Sequence, residues 1–392
     1  MKKSTNEPLK GSRAVKVISP WEAANHVMDK LRASGFQAYA CGGAVRDKIM
    51  NLDIRDVDVA TNALPEEVLR LFPASIDVGV EHGTVVVPVK GDAVEVTAFR
   101  GKTIEEDLSM RDFTINAMAM TREGEIIDPF NGRDDIENGI IRGVRDPEAR
   151  FKEDPLRMVR GYRFAFAYGF TIESNTAHAI GLHASLVKKS AVERIGQELE
   201  KMLPLSKGSL IALMESPIAG GLAPLLYSRQ KWLRLLSCYN HPFTVDEVPL
   251  CWYILSDDNL TETLNRYRRS NLLKKQAGII ERVTSEIVTA GWSNQTLYQA
   301  GEEWIYSCEK IRALLLNKEP EFSTVKKKFE QLPIKKKSDM AVNGKMLMEE
   351  FQVSEGKWIG NTLKKVEYAI VTKKTENTKT AVFEYIRKEL TG

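Results

Sequence analysis

The stretch ACGGAVRDKIMNLDIRDVDVAT, residues 40–61, organises the prediction of the fold. An apolar run leads into a glycine pair, Gly42-Gly43, and a short amphipathic segment then leads to the alternating run Asp56-Val57-Asp58-Val59. Alternation predicts strands and paired glycines predict a tight turn. The stretch therefore predicts a strand, a turn, a short helix and a second strand that carries two carboxylates.

Asp56 and Asp58 are predicted to share one face of this second strand. Successive strand side chains point to opposite faces, so the two carboxylates stand about 7 Å apart while Val57 and Val59 enter the core. Two carboxylates at this spacing can hold one or two divalent cations. A lone D-x-D pattern on a strand is common, and by itself it is more often structural than functional.

The glycine pair adds a second feature to the carboxylates. Gly42 and Gly43 would bring backbone N–H groups beside the acidic face, where a triphosphate needs hydrogen-bond donors. Arg46 follows three residues later. A predicted cation site and a predicted phosphate-binding turn in one place favour a role in nucleotidyl or phosphoryl transfer over a purely structural role.

Composition sets the limits for the whole chain. The 392 residues suffice for two or more cores, and a net charge of +3 confines any nucleic-acid surface to a local patch. No apolar run reaches membrane-spanning length and no signal segment is present, so we expect a soluble, cytoplasmic protein without a membrane partner. The four cysteines are scattered, which argues against structural zinc and for a reducing compartment.

The next segments predict a mixed α/β domain that ends near Arg145. Residues 21–35 and 63–72 have helical patterns, and residues 77–87 and 93–99 predict two strands of a hairpin. Glu95 on the second of these strands is either a third carboxylate beside the aspartates or a solvated strand residue. Arg111-Asp112 either meets phosphate and a ribose hydroxyl or forms a surface ion pair that caps a helix.

From Arg150 onward the pattern is almost wholly helical. The clearest motif is EDPLRMVRGYRF, residues 153–164, in which Asp154 caps a helix that starts at Pro155. Arginines follow every three residues, which places them on one helix face. That face is either plainly solvated or, together with the acid, able to contact the edge of a base. Basic clusters at 266–275, 326–328 and 335–337 are either solvated or contact an RNA backbone.

Together these motifs resemble the class II tRNA nucleotidyltransferases, the CCA-adding enzyme family that also includes bacterial poly(A) polymerases. The matching segments are CGGAVRD, DVDVAT, RDFTINAMA, DPFNGRDDI, EDPLRMVRGYRF, SAVERIGQELEK and, as in Bacillus-type tails, LPIKKKSDMAVNGK. The resemblance implies a polymerase-β-like α/β head followed by an all-α neck, body and tail. The expected bounds are 1–146 for the catalytic head, 147–204 for the neck, 205–285 for the body and 286–392 for the tRNA-binding tail.

The resemblance also implies roles for individual residues. Asp56 and Asp58 would hold two Mg²⁺ ions, one lowering the pKa of the tRNA 3′-hydroxyl and one steadying the triphosphate, with Glu95 as a further catalytic candidate. Asp154 and Arg157 resemble a protein template, in which a carboxylate accepts from the exocyclic amine of C or A and a guanidinium donates to ring acceptors. The implied nucleotide-binding residues are Gly42, Gly43, Arg46, Arg111, Asp112, Glu153, Asp154, Arg157, Arg160 and Arg163.

Two departures from the family pattern set the predicted specificity. Met110 stands where the family usually has an arginine before Arg111-Asp112. Only Gly101-Lys102-Thr103-Ile104 separates Arg100 from Glu105, where CCA-adding members carry a longer flexible lever. Such a short link is characteristic of the CC-adding branch, so we predict transfer of two cytidines from CTP to tRNA, with A left to a separate A-adding enzyme. The alternatives are a complete CCA-adding enzyme that also uses ATP, a poly(A) polymerase, and a catalytically silent RNA-binding protein.

Overall fold

The computed structural model describes residues 18–79, 83–202, 207–222, 248–256 and 260–389. The chain divides into two compact units, Met1–Lys189 and Ser190–Gly392. The first unit combines a mixed sheet with helices, and the described part of the second is helical, which confirms the predicted fold class. The finer division at residues 146, 204 and 285 stays a prediction.

The first unit is built on a seven-stranded mixed sheet. Its strands are β1 (Ala38–Cys41), β2 (Asp58–Thr61), β3 (Ile76–Gly79), β4 (Thr84–Val89), β5 (Asp92–Ala98), β6 (Ala119–Met120) and β7 (Ile126–Ile127), in the spatial order β3-β4-β5-β2-β1-β6-β7. A separate parallel pair joins β8 (Ile140–Ile141) to β9 (Thr171–Ile172). The helices are α1 (Pro20–Ala33), α2 (Gly43–Ile49), α3 (Pro65–Leu71), α4 (Ile104–Ser109), α5 (Gly132–Glu137), α6 (Pro147–Glu153), α7 (Leu156–Tyr168) and α8 (Ser174–His183).

Helices α1 and α4 belong to the cores on opposite faces of the sheet. The alternation of strand side chains sends Val57 and Val59 into the core that contains α1, and Ala60 into a second core that contains Leu108 of α4. Asp58 lies between Val57 and Val59, so its side chain points to the α4 face. The sheet thus separates the apolar core that contains α1 from the side that bears the carboxylates.

Two sequence predictions in this unit have different outcomes. The predicted first helix is confirmed as α1, which begins with a capping box made by Ser19 and Glu22. The single strand predicted over residues 77–87 is wrong, because β3 and β4 pair with each other as separate antiparallel strands. Gly83, with φ of +70°, directly precedes β4 and adopts a backbone conformation that a continuous strand would not contain.

The described part of the second unit is helical. Its helices are α9 (Val192–Met202), α10 (Lys207–Glu215), α11 (Val248–Leu255), α12 (Leu260–Arg266), α13 (Asn271–Ala290), α14 (Asn294–Leu316), α15 (Phe322–Glu330), α16 (Gly344–Phe351), α17 (Lys357–Val371) and α18 (Lys379–Glu389). Helix α14 is kinked at Gly301, where φ is +64°. None of the helices in the described ranges has the length and apolar character that a membrane span requires.

Candidate active site

Three carboxylates meet at the beginning of β2. Asp58 is the first residue of this strand, and Val59 pairs in parallel with Val96 of β5. Glu95 therefore lies beside Asp58 on the same face of the sheet. Asp56 lies two residues before β2 and is exposed, so the strand begins two residues later than the DVDV run predicted. The structure brings all three carboxylates together.

The charges of this group are only partly balanced, by the positive charge of Arg111. Desolvation by the surrounding protein, then the charges of Glu95 and Asp56, raise the pKa of Asp58 to about 6, although part of its side chain reaches the surface. We find no side-chain hydrogen bond or ion pair between any of the three and another described residue. A bound cation would relieve this repulsion.

The donor set fits magnesium shared with a substrate. No group of three or more His, Cys, Asp or Glu side chains in the described ranges forms a complete metal site. Magnesium in nucleotide-handling proteins is commonly held by one or two carboxylates, with phosphate oxygens and water as the other ligands. Asp56 and Asp58, with Glu95 beside them, match this open arrangement.

The glycine turn lies next to the carboxylates because Cys41, the residue before Gly42, pairs with Asp58 across β1 and β2. Gly42 has φ of 71° and ψ of −133°, and a Cβ on it would lie 2.7 Å from Nη1 of Arg111. The positive φ favours glycine, and an added Cβ would displace the guanidinium of Arg111. The backbone N–H of Gly42 donates to the carbonyl of Met118 at 3.1 Å, so the prediction that it serves as a donor for a triphosphate is wrong.

Arg111 is held over the turn by two residues that the sequence analysis did not assign. Its Nη2 donates to Sγ of Cys41 at 3.0 Å and to Oδ2 of Asp107 at 3.2 Å. Burial raises the pKa of the Cys41 thiol, which keeps the sulfur neutral. Oδ1 of Asp107, which is itself buried, accepts from the backbone N–H and Nε of Arg100 at 3.2 and 3.1 Å. The position of Asp107 four residues before Arg111 was the only signal in the sequence.

Asp112 does not pair with Arg111. Its Oδ2 accepts from Nε of Arg160 at 2.7 Å, and its Oδ1 accepts from Nδ2 of Asn116 at 3.0 Å. Burial alone would raise its pKa, but Arg160 and these hydrogen bonds outweigh burial and lower the pKa to about 2. The alternative of a surface ion pair between Arg111 and Asp112 is therefore wrong. Contacts of the two with phosphate and ribose stay predictions.

Arg46 is buried in the protein rather than extended into solvent. Its Nε and Nη2 donate to Oδ1 of Asp47 at 2.9 and 2.7 Å, and its Nη1 donates to Oδ1 of Asn116 at 2.5 Å. The guanidinium lies over the rings of Phe164 and Tyr168, 5.3 and 4.8 Å from their centroids. The predicted contact of Arg46 with a triphosphate is untested.

The motif with the predicted template residues forms the corner between α6 and α7. Oδ1 of Asp154 accepts from the backbone N–H of Leu156 at 3.2 Å, so Asp154 satisfies an N–H at the start of α7 as its capping role requires. Oε2 of Glu153 accepts from Nη1 of Arg157 at 3.1 Å. Nη2 of Arg157 donates to the carbonyl of Met110 at 3.1 Å. These hydrogen bonds fix the carboxylate of Glu153 and the guanidinium of Arg157 close together at the corner.

The arginine row of α7 is not a plain solvent face. Arg157, Arg160 and Arg163 are all half-buried. The guanidinium carbons of Arg160 and Arg163 lie 5.3 and 4.0 Å from the centroid of the Phe164 ring. The opposite side of α7 is buried, since Leu156, Val159 and Phe164 are each at most 3% exposed.

Three family models match the chain. Residues 38–142 match the poly(A) polymerase head domain, residues 169–226 match an RNA- and SrmB-binding site of polymerase A, and residues 248–386 match domain 2 of tRNA nucleotidyltransferase. The first of these spans the carboxylates, the glycine turn and Arg111.

Curated relatives and a solved structure cover nearly the whole chain. The chain is 37% identical to a CCA-adding enzyme of Geobacillus thermodenitrificans, over 94% of this chain and 96% of the relative. It is 36% identical to a CC-adding tRNA nucleotidyltransferase of Halalkalibacterium halodurans, over 92% and 96%. The crystal structure of the Bacillus stearothermophilus CCA-adding enzyme in complex with CTP matches with a TM-score of 0.77 and 37% identity, over 95% of this chain and 98% of that chain.

Proposed function

Because the chain belongs to the family of bacterial CCA-adding and CC-adding tRNA nucleotidyltransferases, we propose that it adds two cytidines from CTP to the 3′ end of tRNA and then stops. Nucleotidyl transfer to tRNA is the activity of the family as a whole. The specificity for two cytidines is the finer part of the proposal, and the third nucleotide would come from a separate A-adding enzyme.

The link between β5 and α4 supports the CC-adding specificity. Only residues 99–103 separate the two elements, and they are folded onto α4. The backbone N–H of Lys102 donates to Oε2 of Glu106 at 2.6 Å, and the hydroxyl of Thr103 accepts from the backbone N–H of Glu106 at 3.3 Å. Such a short turn is too short to reach and reorient a helix elsewhere. In CCA-adding members, the longer lever has that role.

Arg111 and the glycine turn would bind the triphosphate. Asp107 and Cys41 hold the guanidinium of Arg111 over Gly42, so it is in place before the nucleotide arrives. A fixed guanidinium can donate two parallel hydrogen bonds to phosphate oxygens. The start of α2 at Gly43 adds backbone donors at the same place. As the resemblance implies, we assign Asp112, together with Arg111, to the sugar and phosphates, and Arg160 and Arg163 to the base and phosphates.

Asp56 and Asp58 would hold magnesium, with Glu95 next to them on the sheet. Magnesium bound at such a site neutralises triphosphate charge and makes a nearby hydroxyl more acidic. In the reaction, the 3′-oxygen of the tRNA forms a bond to the α-phosphorus of CTP and loses its proton. The bond between the α-phosphorus and the bridging oxygen breaks, and pyrophosphate leaves.

The corner of α6 and α7 would read the base. Asp154 would accept a hydrogen bond from the exocyclic amine of cytosine, and Arg157 would donate to the neighbouring ring acceptors. Glu153 keeps Arg157 in place through its own hydrogen bond. Uracil presents a carbonyl to the carboxylate, two acceptors then face each other, and UTP is rejected.

Incorporation onto a tRNA transcript that lacks its 3′ CCA tests this proposal. The reaction contains Mg²⁺, CTP and ATP, and products are separated at single-nucleotide resolution. We expect products that stop at two added nucleotides, and no use of ATP on a tRNA that already ends in CC. Products with three added nucleotides would contradict the CC-adding specificity and show that the missing segment is dispensable.

The main rival is a complete CCA-adding enzyme, and the name of the Geobacillus thermodenitrificans relative favours it. The assay above separates the two by whether A is added. Long ATP-dependent tails would instead indicate a poly(A) polymerase. Binding of tRNA with no metal-dependent incorporation of any nucleotide would indicate a catalytically silent RNA-binding protein.

A further inference from the structure

A chain of buried polar groups connects the glycine-turn helix α2 with the arginine-bearing helix α7. It starts at Arg46 of α2, passes through the amide of Asn116 to the carboxylate of Asp112, and ends at Arg160 of α7. The two hydrogen bonds of the Asn116 amide measure 2.5 and 3.0 Å, and the bond from Arg160 to Asp112 measures 2.7 Å. Asn116 is 5% exposed.

Both ends of this chain reach α7. Arg160 belongs to α7, and Arg46 at the opposite end lies over the rings of Phe164 and Tyr168, which also belong to α7. The position of α7 against α2 and the RDFTINAMA segment therefore depends on the groups that join them.

Among these groups, Asn116 has a chemical role that few side chains could fill. Arg46 offers only donors and needs an acceptor, whereas the carboxylate of Asp112 needs a donor. The amide of Asn116 offers one acceptor oxygen and one donor nitrogen, and Arg46 and Asp112 together dictate its orientation. An aspartate would meet Asp112 as acceptor against acceptor, and an alanine would leave both buried neighbours with an unmade bond.

We propose that Asn116 is a positioning residue for base selection. It sets where Arg160 and the rest of the arginine row of α7 stand relative to the glycine turn, and so determines how well the protein prefers CTP over UTP. Asn116 acts through Asp112 and Arg46, and it does not contact the nucleotide. This inference rests on the proposed function, because it assumes that α7 helps to read the base.

The test compares nucleotide selectivity in Asn116→Asp with that in the wild-type protein. The measured quantity is kcat/KM for CTP divided by kcat/KM for UTP on a tRNA transcript that lacks CCA. Asn138→Asp is the matched control, because it makes the same chemical change at an exposed position of the same unit. We expect the ratio to fall at least about tenfold in Asn116→Asp, the scale of one lost base contact, and to stay unchanged in Asn138→Asp.

A uniform fall of kcat for both nucleotides with an unchanged ratio would overturn the inference, because it would show that Asn116 only supports the fold. If Asn116→Asp does not fold, Asn116→Ser replaces it, since a hydroxyl can serve one of the two neighbours well but not both. An unchanged ratio in a folded, active Asn116→Ser protein would equally overturn the inference.

Calorimetric binding of CTP and UTP without tRNA separates this inference from the proposed function. If the wild-type protein incorporates nothing but prefers CTP in binding, the proposed function fails, and a lower binding preference in Asn116→Asp still supports the inference. If the wild-type protein shows no preference between the nucleotides in either assay, the inference fails, because Asn116 then has no selectivity to set.

Discussion

The carboxylates at the start of β2 and the arginines that surround them have opposite environments. Asp56, Asp58 and Glu95 repel one another, and the pKa of Asp58 rises to about 6 after desolvation and this repulsion. Arg111 and Arg160 are each bound to an aspartate of the same unit. The protein thus leaves negative charge only partly balanced where we propose that cations bind, and it fixes positive charge where we propose that the triphosphate binds. The carboxylates repel one another, whereas the arginines are held in position by their aspartate partners.

Removing a carboxylate should have the largest effect. We expect Asp58→Ala to lower incorporation about a thousandfold or more, since a lost metal ligand costs several kcal/mol of transition-state stabilisation. Binding of tRNA should persist, as measured by gel shift. Asp134→Ala, which removes an exposed acid of α5, should retain full activity. A near-normal rate in Asp58→Ala would mean that the acidic group is not the catalytic site.

A methyl group at Gly42 should displace the guanidinium of Arg111. Gly42→Ala places a carbon 2.7 Å from Nη1 of Arg111 and strains a backbone with φ of 71°. We expect kcat/KM for CTP to fall roughly a hundredfold, since fixed phosphate donors contribute on that scale. Gly124→Ala has the same type of strain, with φ of +94°, but nothing within 4 Å of the added carbon. Equal losses in both variants would show that strain alone, and not Arg111, is responsible.

The pairing of Asp112 with Arg160 should make the free energy of unfolding depend on pH in the acid range. The folded-state pKa of Asp112 is about 2 against an ordinary value of 3.8, so it contributes about 2 kcal/mol to the free energy of unfolding above pH 4. This contribution is lost as the pH falls from about 4 to 2. Urea unfolding at several pH values should show that the gap in stability between the wild-type protein and Asp112→Asn narrows over this range. A gap that does not change with pH would contradict a charged Asp112 in the folded protein.

Weakening the support of Arg111 without touching it should have the smallest effect. Asp107→Asn removes the negative charge between Arg100 and Arg111, and we expect KM for CTP to rise about tenfold with a smaller change in kcat. Glu105→Gln makes the same type of change on the exposed side of α4 and should leave KM unaltered. An unchanged KM in Asp107→Asn would show that Cys41 and the glycine turn suffice to place Arg111.

Local patterns predicted the elements that carry the site, and tertiary contacts decided what most of its arginines touch. Alternation of residue types placed Asp58 on a strand face, and a glycine pair predicted the turn. The same patterns missed Asp107 and Asn116, because an acid four residues before an arginine is common on helices and Asn116 has no distinctive neighbour in the sequence. Asn116 bonds to a residue 70 positions away, and only the packing of α2 against the RDFTINAMA segment brings the two together.

Sequence patterns alone predicted the α/β head, the helical remainder, the family and the short link between β5 and α4. Periodicity, turn residues and motif spacing are properties of neighbouring residues, so one sequence is enough to show them. Strand register and helix packing place Glu95 beside Asp58, pair Asp112 with Arg160 rather than Arg111, and bury Arg46 against α7. These pairings depend on strand register and helix packing, and such long-range contacts leave no periodic trace in one sequence.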